Sequence, residues 1–101
     1  MPDYEQGSVL RVDQLKFPVV VVSNKEFNKS GAALVCPIMK TAAAGPLHTP
    51  VAFGNTEGVV LCEQVKFLDL KRRHYSVTGT VDYYCIMDIS DAVIGIVEYL
   101  N

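Results

Sequence analysis

Five basic or titratable side chains fall within nine positions in the second half of the chain, where they form its densest group able to bind phosphate. The group consists of Lys66, Lys71, Arg72, Arg73 and His74. Lysine and arginine hold nucleic-acid phosphates through charge and hydrogen bonds. The cluster therefore predicts a local nucleic-acid contact, with a solvated turn as the alternative interpretation.

The overall charge restricts nucleic-acid binding to local groups of this kind. The 101 residues carry a formal net charge of -2 and the sequence pI is about 5.5, whereas domains that bind by bulk electrostatics have pI values above about 9. Half of the residues are hydrophobic, which is much apolar surface for one small domain to bury. We therefore expect a single domain, residues 1–101, that self-associates.

The cysteines and histidines lack the spacing of a disulfide or metal site. Cys36, Cys62 and Cys85 form no C-x-x-C pair, leave an odd thiol and lie among apolar residues, as small buried side chains do. His48 and His74 have no second ligand at suitable spacing. We therefore expect no metal and no cofactor, and a reducing, cytoplasmic location.

No segment has the pattern of a signal peptide or a membrane span. Residues 1–6 carry acids instead of the basic start of a secretory signal. The longest aliphatic run, residues 19–22, is far shorter than the roughly 20 residues that cross a bilayer. No membrane association is expected.

Apolar and β-branched clusters separated by turn residues predict strands over the first three quarters of the chain. The predicted strands are 8–13, 18–23, 32–38, 47–53, 59–68 and 76–80. The second and third lack alternation, which is typical of central strands covered on both faces. The fifth should bend at Glu63-Gln64, where a barrel-like sheet needs a corner. Residues 24–31 and 39–46 are predicted to be a surface excursion and a mobile loop.

The C-terminal segment changes to helical period. Asp82 is placed to cap the first turn, and Gly95 suggests close packing against another element. The chain is therefore predicted to be mainly β with one C-terminal helix of about 18 residues. The apolar positions at spacings of three and four are Val81, Cys85, Ile89, Ala92, Val93, Ile96 and Leu100.

A set of short motifs follows in order over nearly the whole chain. The set is Gly7, Pro18, Asn28, Pro37-Ile38, Gly58-Val59-Val60, Glu63-Gln64-Val65-Lys66 and Asp69. In order and spacing it resembles the MazF/PemK family of toxins from type II toxin-antitoxin systems. The resemblance implies a small SH3-like, CcdB-like antiparallel β-barrel plus an α-helix, and a metal-independent endoribonuclease (mRNA interferase).

Two positions depart from the family pattern. Members commonly carry an arginine and a threonine where this chain has Phe17 and Met39. Metal-free RNA cleavage needs a group that deprotonates the ribose 2'-hydroxyl, one that protonates the leaving 5'-oxygen, and positive charge. Neither replacement supplies any of these. The candidate catalytic residues nearby are Lys16, Thr41 and His48, and an ordinary surface histidine is the alternative for His48.

The resemblance also implies an RNA groove beside the motif Glu63-Gln64-Val65-Lys66. The candidate RNA-binding residues are Lys40, Glu63, Gln64, Lys66, Arg72 and Arg73. An amide and a cation in this region can read bases and hold phosphates. In the alternative interpretation Gln64 satisfies backbone at a strand bend, while Glu63 and Lys66 are solvated.

Aromatic side chains near the motifs could stack on unpaired bases. Tyr4, Phe17 and Phe67 are the candidates for stacking. The alternative is that they belong to the core, as most aromatic residues of a small domain do. Tyr83 and Tyr84 begin the predicted helix and are assigned to packing or to a dimer interface.

Two functional hypotheses follow. In the first, the chain is a homodimeric toxin that cleaves single-stranded RNA and is neutralised by an antitoxin whose acidic tail fills the RNA groove. In the second, it is a non-catalytic binder on the same fold. That binder is either a CcdB-like gyrase-targeting toxin, which the terminal residues Tyr99, Leu100 and Asn101 loosely resemble, or an inactive paralogue that binds antitoxin or RNA.

Overall fold

A computed structural model describes residues 2–98, which form seven strands and two helices. Two single 3₁₀ turns, Cys62–Gln64 and Leu70–Arg72, flank β6. The elements are β1 (Ser8–Val12), β2 (Val19–Val21), α1 (Lys25–Asn28), β3 (Ala32–Met39), β4 (His48–Phe53), β5 (Thr56–Leu61), β6 (Lys66–Asp69), β7 (Tyr75–Thr80) and α2 (Tyr83–Val97).

The strands form one antiparallel, half-barrel sheet in the order β4-β5-β3-β2-β1-β7. β3 lies at its centre: β2 pairs along one edge, and β5 and β6 share the other. The predicted central position of the second and third strands is thereby confirmed. The predicted fold class, a mainly β domain closed by a C-terminal helix, is also confirmed.

The core consists of two apolar clusters on opposite faces of the sheet. The alternation in β1 divides its side chains between them, since Val9 belongs to one cluster while Leu10 and Val12 belong to the other. α2 covers the Val9 face, where Ile86 and Ile89 are buried. Within residues 2–98, no helix is both long and apolar enough to span a bilayer.

The fifth predicted strand is in fact two strands separated by a corner. Val60 pairs with Ile38 and Lys66 pairs with Val35, so six steps along this chain match only three steps along β3. The three extra residues are taken up by the 3₁₀ turn Cys62–Gln64. The bend lies where it was predicted, and it separates β5 from β6.

α2 begins where predicted and is somewhat shorter than expected, with 15 residues. The Asp82 carboxylate caps it by accepting a hydrogen bond from the Cys85 backbone N–H at 2.9 Å. The expected close packing at Gly95 is not found within residues 2–98, because the residue is exposed and no atom beyond its own helix backbone lies within 4 Å of the place a Cβ would occupy. The excursion 24–31 contains α1, which Asn24 caps.

Candidate active-site cleft

An open cleft of about 480 Å³ lies where the β1–β2 loop, the end of β3 and the β4–β5 hairpin meet. Its charged and hydroxyl-bearing lining residues are Arg11, Lys16, Lys40, Thr41, Thr56 and Glu57. Its apolar lining residues are Phe17, Pro18, Ile38, Met39 and Phe53. Three cations, a carboxylate and two hydroxyls thus border an apolar surface, an arrangement that suits a ligand with both phosphate and ring groups.

Backbone contacts bring these segments together. The Ile38 N–H donates to the Pro18 carbonyl oxygen at 2.8 Å, which joins the start of β2 to the end of β3. A two-residue turn connects β4 to β5, and its Gly54 has a φ of 59°, in the left-handed region that glycine enters without strain. Gly58 allows β5 to approach β3 closely, since a Cβ there would lie 2.6 Å from Ile38 Cγ2.

The cleft contains Lys16 and Thr41, two of the three predicted catalytic residues, and also Lys40. Lys16 and its neighbour Phe17 interact directly, with the ammonium nitrogen 5.4 Å from the ring centroid. That distance is within the range of a cation–π contact. Lys16 therefore lies beside the position where the family pattern has arginine.

Sequence reasoning missed Arg11, Thr56 and Glu57, which line the same cleft. Arg11 and Glu57 are both exposed and reach the cleft through strand pairing, not through proximity in sequence to a motif. For Arg11 a signal was present: the alternation of β1 separates it from the buried Leu10 and Val12. Nothing in the sequence singled out Glu57.

His48 lies outside this cleft. It begins β4, whereas Phe53, which lines the cleft, ends it, and five residues of strand span about 17 Å. His48 Nδ1 donates to the Ala43 carbonyl oxygen, and Nε2 lies 3.1 Å from Glu63 Oε2. The structure therefore places His48 outside the cleft that contains Lys16 and Thr41.

The His48–Glu63 pair joins the loop after β3 to the corner before β6. Both imidazole nitrogens face oxygen acceptors, so only the doubly protonated ring satisfies both contacts. Two hydrogen bonds raise the pKa of His48: the larger effect comes from the Ala43 carbonyl and the next from the Glu63 carboxylate. The hydrogen bond from His48 lowers the pKa of Glu63. Glu63 is therefore held by a histidine instead of being free for RNA.

This pair predicts a pH-dependent contribution to stability. The raised pKa of His48 stabilises the fold below its ordinary value of 6.5, and this contribution is lost as pH rises through the folded pKa. The lowered pKa of Glu63 stabilises the fold above its ordinary value of 4.5, and this contribution is lost as pH falls through the folded pKa. The difference in Tm between the wild type and His48→Gln should thus be largest between pH 4.5 and 6.5 and shrink towards pH 9. His74→Gln, at an exposed site, is the control, and a difference that is constant across this range would contradict the ion pair.

The comparison with known proteins agrees with this architecture. A family model described as "PemK-like, MazF-like toxin of type II toxin-antitoxin system" matches residues 7–97. The chain belongs to this family. Comparison with curated protein sequences gives no significant match.

Solved structures share the fold of this PemK/MazF-family chain at low sequence identity. A chain of the MazE-MazF complex (Form-I) from Deinococcus radiodurans is 19% identical with a TM-score of 0.82, covering 94% of this chain and 98% of that one. An endoribonuclease from Mycobacterial species is 22% identical with a TM-score of 0.78, covering 96% and 93%. The toxin MazF-mt6 from Mycobacterium tuberculosis is 17% identical with a TM-score of 0.68, covering 86% and 93%.

In this PemK/MazF-family chain, Arg72 and Arg73 of the basic cluster lie far from the cleft. β6 pairs with the first half of β3, so Arg72 and Arg73 lie near Ala32, while the cleft is at Met39. Seven residues of strand separate these ends, about 23 Å. Arg72 pairs with Asp69 at 3.5 Å. Any RNA that contacts both places must therefore run along the sheet.

Two other RNA-binding candidates lie between these places. Gln64 is exposed in the 3₁₀ turn, and Lys66 is exposed at the start of β6. Both are available to solvent. The position of Gln64 does not favour the alternative in which its amide satisfies buried backbone.

The aromatic candidates differ sharply in exposure. Tyr4 is buried and donates to the Ala32 carbonyl oxygen at 2.8 Å, so it takes the alternative, a core position, and is not available to stack on bases. Phe67 is 60% exposed and lies edge-on to Phe27. Phe17 lines the cleft.

The thiols occupy packing positions, as the sequence predicted. Cys36 and Cys62 are buried and Cys85 is partly buried, and burial raises the pKa of the Cys36 thiol to about 12. Between residues 2 and 98, no three histidine, cysteine or acidic side chains meet as a metal-binding group. Tyr99, Leu100 and Asn101, which loosely resemble the CcdB terminus, lie outside the described residues.

Proposed function

We propose that this chain is the toxin of a type II toxin-antitoxin pair and acts as a metal-independent endoribonuclease on single-stranded RNA. The observation that carries the proposal is the cleft, where cations, hydroxyls and Glu57 border a surface lined by Phe17 and Phe53. Cations hold the phosphate of a nucleic acid, and ring faces stack on unpaired bases. The family membership supports the same reaction.

The cleft residues supply each part of the reaction. Glu57 accepts the proton of the ribose 2'-hydroxyl, whose oxygen attacks the adjacent phosphorus. The bond from phosphorus to the 5'-oxygen breaks, and the Lys16 ammonium gives a proton to that leaving oxygen. The Thr41 hydroxyl donates to a non-bridging phosphate oxygen while Lys40 balances its charge. The products are a 2',3'-cyclic phosphate and a 5'-hydroxyl.

In this proposal, Phe17 and Met39 change the substrate contacts of the cleft without removing its chemistry. An aromatic ring in place of an arginine gives a base a stacking surface, which is worth about 1–3 kcal/mol per base. Thr41 lies two positions beyond Met39 in the same cleft. The threonine hydroxyl and the positive charge of the family pattern are thus displaced from positions 39 and 17, and both are still present.

The partners proposed for this chain are an antitoxin and a second copy of the chain. The cations of the cleft suit an acidic antitoxin tail that excludes RNA. Large side chains on α2 are exposed, including Tyr83, Tyr84 and Met87, and a homodimer interface would cover such a surface. Action in the reducing cytoplasm agrees with three free thiols.

A cleavage assay tests the reaction. Purified protein should cut varied single-stranded RNAs equally well with and without a chelator, leaving cyclic phosphate and 5'-hydroxyl ends. Glu57→Gln should lower the rate about 10²-fold or more, because a positioned general base contributes that much. Glu26→Gln removes a carboxylate on α1 that pairs with Lys29, and it should leave the rate unchanged.

Two outcomes would overturn the proposal, and a third would remove one residue from it. Intact RNA after prolonged incubation, with RNA still bound, would instead support the non-catalytic binder on this fold. Cleavage that the chelator abolishes would contradict the metal-independent reaction. Equal loss of activity in Glu57→Gln and Glu26→Gln would remove Glu57 from the mechanism.

A further inference from the structure

One cation of the cleft has no part in the reaction described above. Arg11 lines the cleft, and it is an exposed residue in a strand whose other residues are buried. An exposed arginine is often only a solvated side chain. Three features of its position indicate a specific role.

The first feature is strand register. β1 and β2 pair Val9 with Val20 and Leu10 with Val19, and Arg11 and Pro18 are the next residues along the two chains. The Arg11 guanidinium also lies 3.5 Å from the Lys16 carbonyl oxygen. Arg11 is therefore next to position 17, where the family pattern has arginine and this chain has Phe17.

The second feature is the face of the sheet. Alternation puts Arg11 on the same face as Val9, which packs in one core cluster with Ile38. Ile38 also lines the cleft. The Arg11 side chain thus leaves the sheet on the face that contains the cleft.

The third feature is the free hydrogen-bonding capacity of the guanidinium. In the described part of the chain, no carboxylate forms an ion pair with Arg11. One guanidinium nitrogen donates to the Lys16 carbonyl oxygen at a long 3.5 Å. An arginine has five N–H donors, so most of them point to no protein acceptor.

We propose that Arg11 binds the scissile phosphate and supplies, from β1, the positive charge that position 17 no longer carries. This inference rests on the proposed function, because it assumes that single-stranded RNA occupies the cleft. A guanidinium can form two parallel hydrogen bonds to a phosphate, which a lysine cannot. Arg11 stabilises the charge that develops on the phosphate during attack by the 2'-oxygen.

The test compares Arg11→Gln, Arg11→Lys and the double variant Arg11→Gln/Phe17→Arg. Cleavage of single-stranded RNA is measured together with binding of a 2'-O-methyl oligonucleotide, which cannot be cleaved, over a range of salt concentrations. Lys25→Gln, which removes an exposed positive charge on α1, is the matched control and should behave as the wild type.

Arg11→Gln should lower kcat/KM by about 10²–10³-fold, as removal of one oxyanion donor does. It should also reduce the salt dependence of binding by about 0.7 in log–log slope, which corresponds to one phosphate contact to a single strand. Arg11→Lys should keep the salt slope and lose part of the rate. The double variant should recover activity relative to Arg11→Gln, because it returns a guanidinium to the adjacent position.

Each result decides between the inference and the function. If the wild type cleaves RNA and Arg11→Gln has the same rate and salt slope, the inference is overturned and the proposed function stands. If the wild type binds the oligonucleotide without cleaving RNA, and Arg11→Gln reduces the slope, Arg11 binds phosphate and the catalytic proposal fails. If the wild type neither binds nor cleaves, both are overturned.

Discussion

Replacement of Asn28 by alanine should lower the free energy of unfolding by about 2–4 kcal/mol, since it leaves buried hydrogen-bonding groups without partners. Asn28 is 1% exposed. Its side-chain oxygen accepts from the Ser23 hydroxyl, and its amide nitrogen donates to the Ser23 carbonyl oxygen at 3.1 Å. The hydroxyl oxygen of Ser23 in turn accepts a hydrogen bond from the Leu34 backbone N–H at 2.9 Å. One amide thus connects α1 to β3 through the end of β2.

The expected shift is large for a domain of this size. At about 4–8 °C per kcal/mol for a domain of 60–100 residues, the Tm should fall by about 8–32 °C. Thermal and denaturant unfolding of the two proteins would measure it. Asn55→Ala, in the exposed β4–β5 turn, is the matched control and should change stability by no more than about 0.5 kcal/mol. If Asn28→Ala unfolds within that margin of the wild type, the buried network does not contribute as described.

Asn28 shows what a motif can and cannot reveal. The sequence places it in an ordered set that resembles the PemK/MazF family, and that set leads to the correct fold. Its spacing does not reveal that the side chain is a buried structural link and not a contact to RNA. The reason is physical, since Ser23, Asn28 and Leu34 meet only after β2 and β3 have paired.

The elements themselves could be predicted because their causes are local. Alternation in β1, uninterrupted apolar runs in β2 and β3, and Asp82 before a helical period all act within a few residues. The corner could also be predicted, because Glu63-Gln64 interrupts an apolar run. The packing expected at Gly95 was not found. A glycine within a helix lowers helix stability, but this says nothing about which residues, if any, it contacts.

The cleft could be predicted only in part, because its residues come together through strand pairing. Lys16 and Thr41 are close in sequence to the motif positions 17 and 39, so proximity was a sufficient guide. Arg11 enters through the register of β1 with β2, and Glu57 through the β4–β5 hairpin. Thr41 lies in the loop between β3 and β4, and His48 is the first residue after that loop. Because β4 reaches the cleft only at its other end, the proximity of His48 to Thr41 in sequence was misleading.

Replacement of Gly58 by alanine should destabilise the domain and also disturb the cleft. A Cβ at this position would lie 2.6 Å from Ile38 Cγ2 and 3.0 Å from the Met39 carbonyl oxygen. Ile38 is buried and its branched methyl group has little freedom to move, while the carbonyl belongs to the backbone. β5 must therefore shift away from β3, at a cost of about 1–3 kcal/mol for overpacking. Unfolding measurements would give this cost.

The same shift should reduce RNA cleavage, because Ile38 and Met39 line the cleft and Glu57 adjoins the substituted residue. A displacement of about 1 Å can lower a rate about 10²-fold. Gly95→Ala is the control, since it adds the same methyl group where no atom lies within 4 Å. It should stabilise α2 by up to about 1 kcal/mol and leave cleavage unchanged. The two alanines should thus have opposite effects on stability, and a Gly58→Ala variant as stable as the wild type would show that β5 does not approach β3 as closely as described.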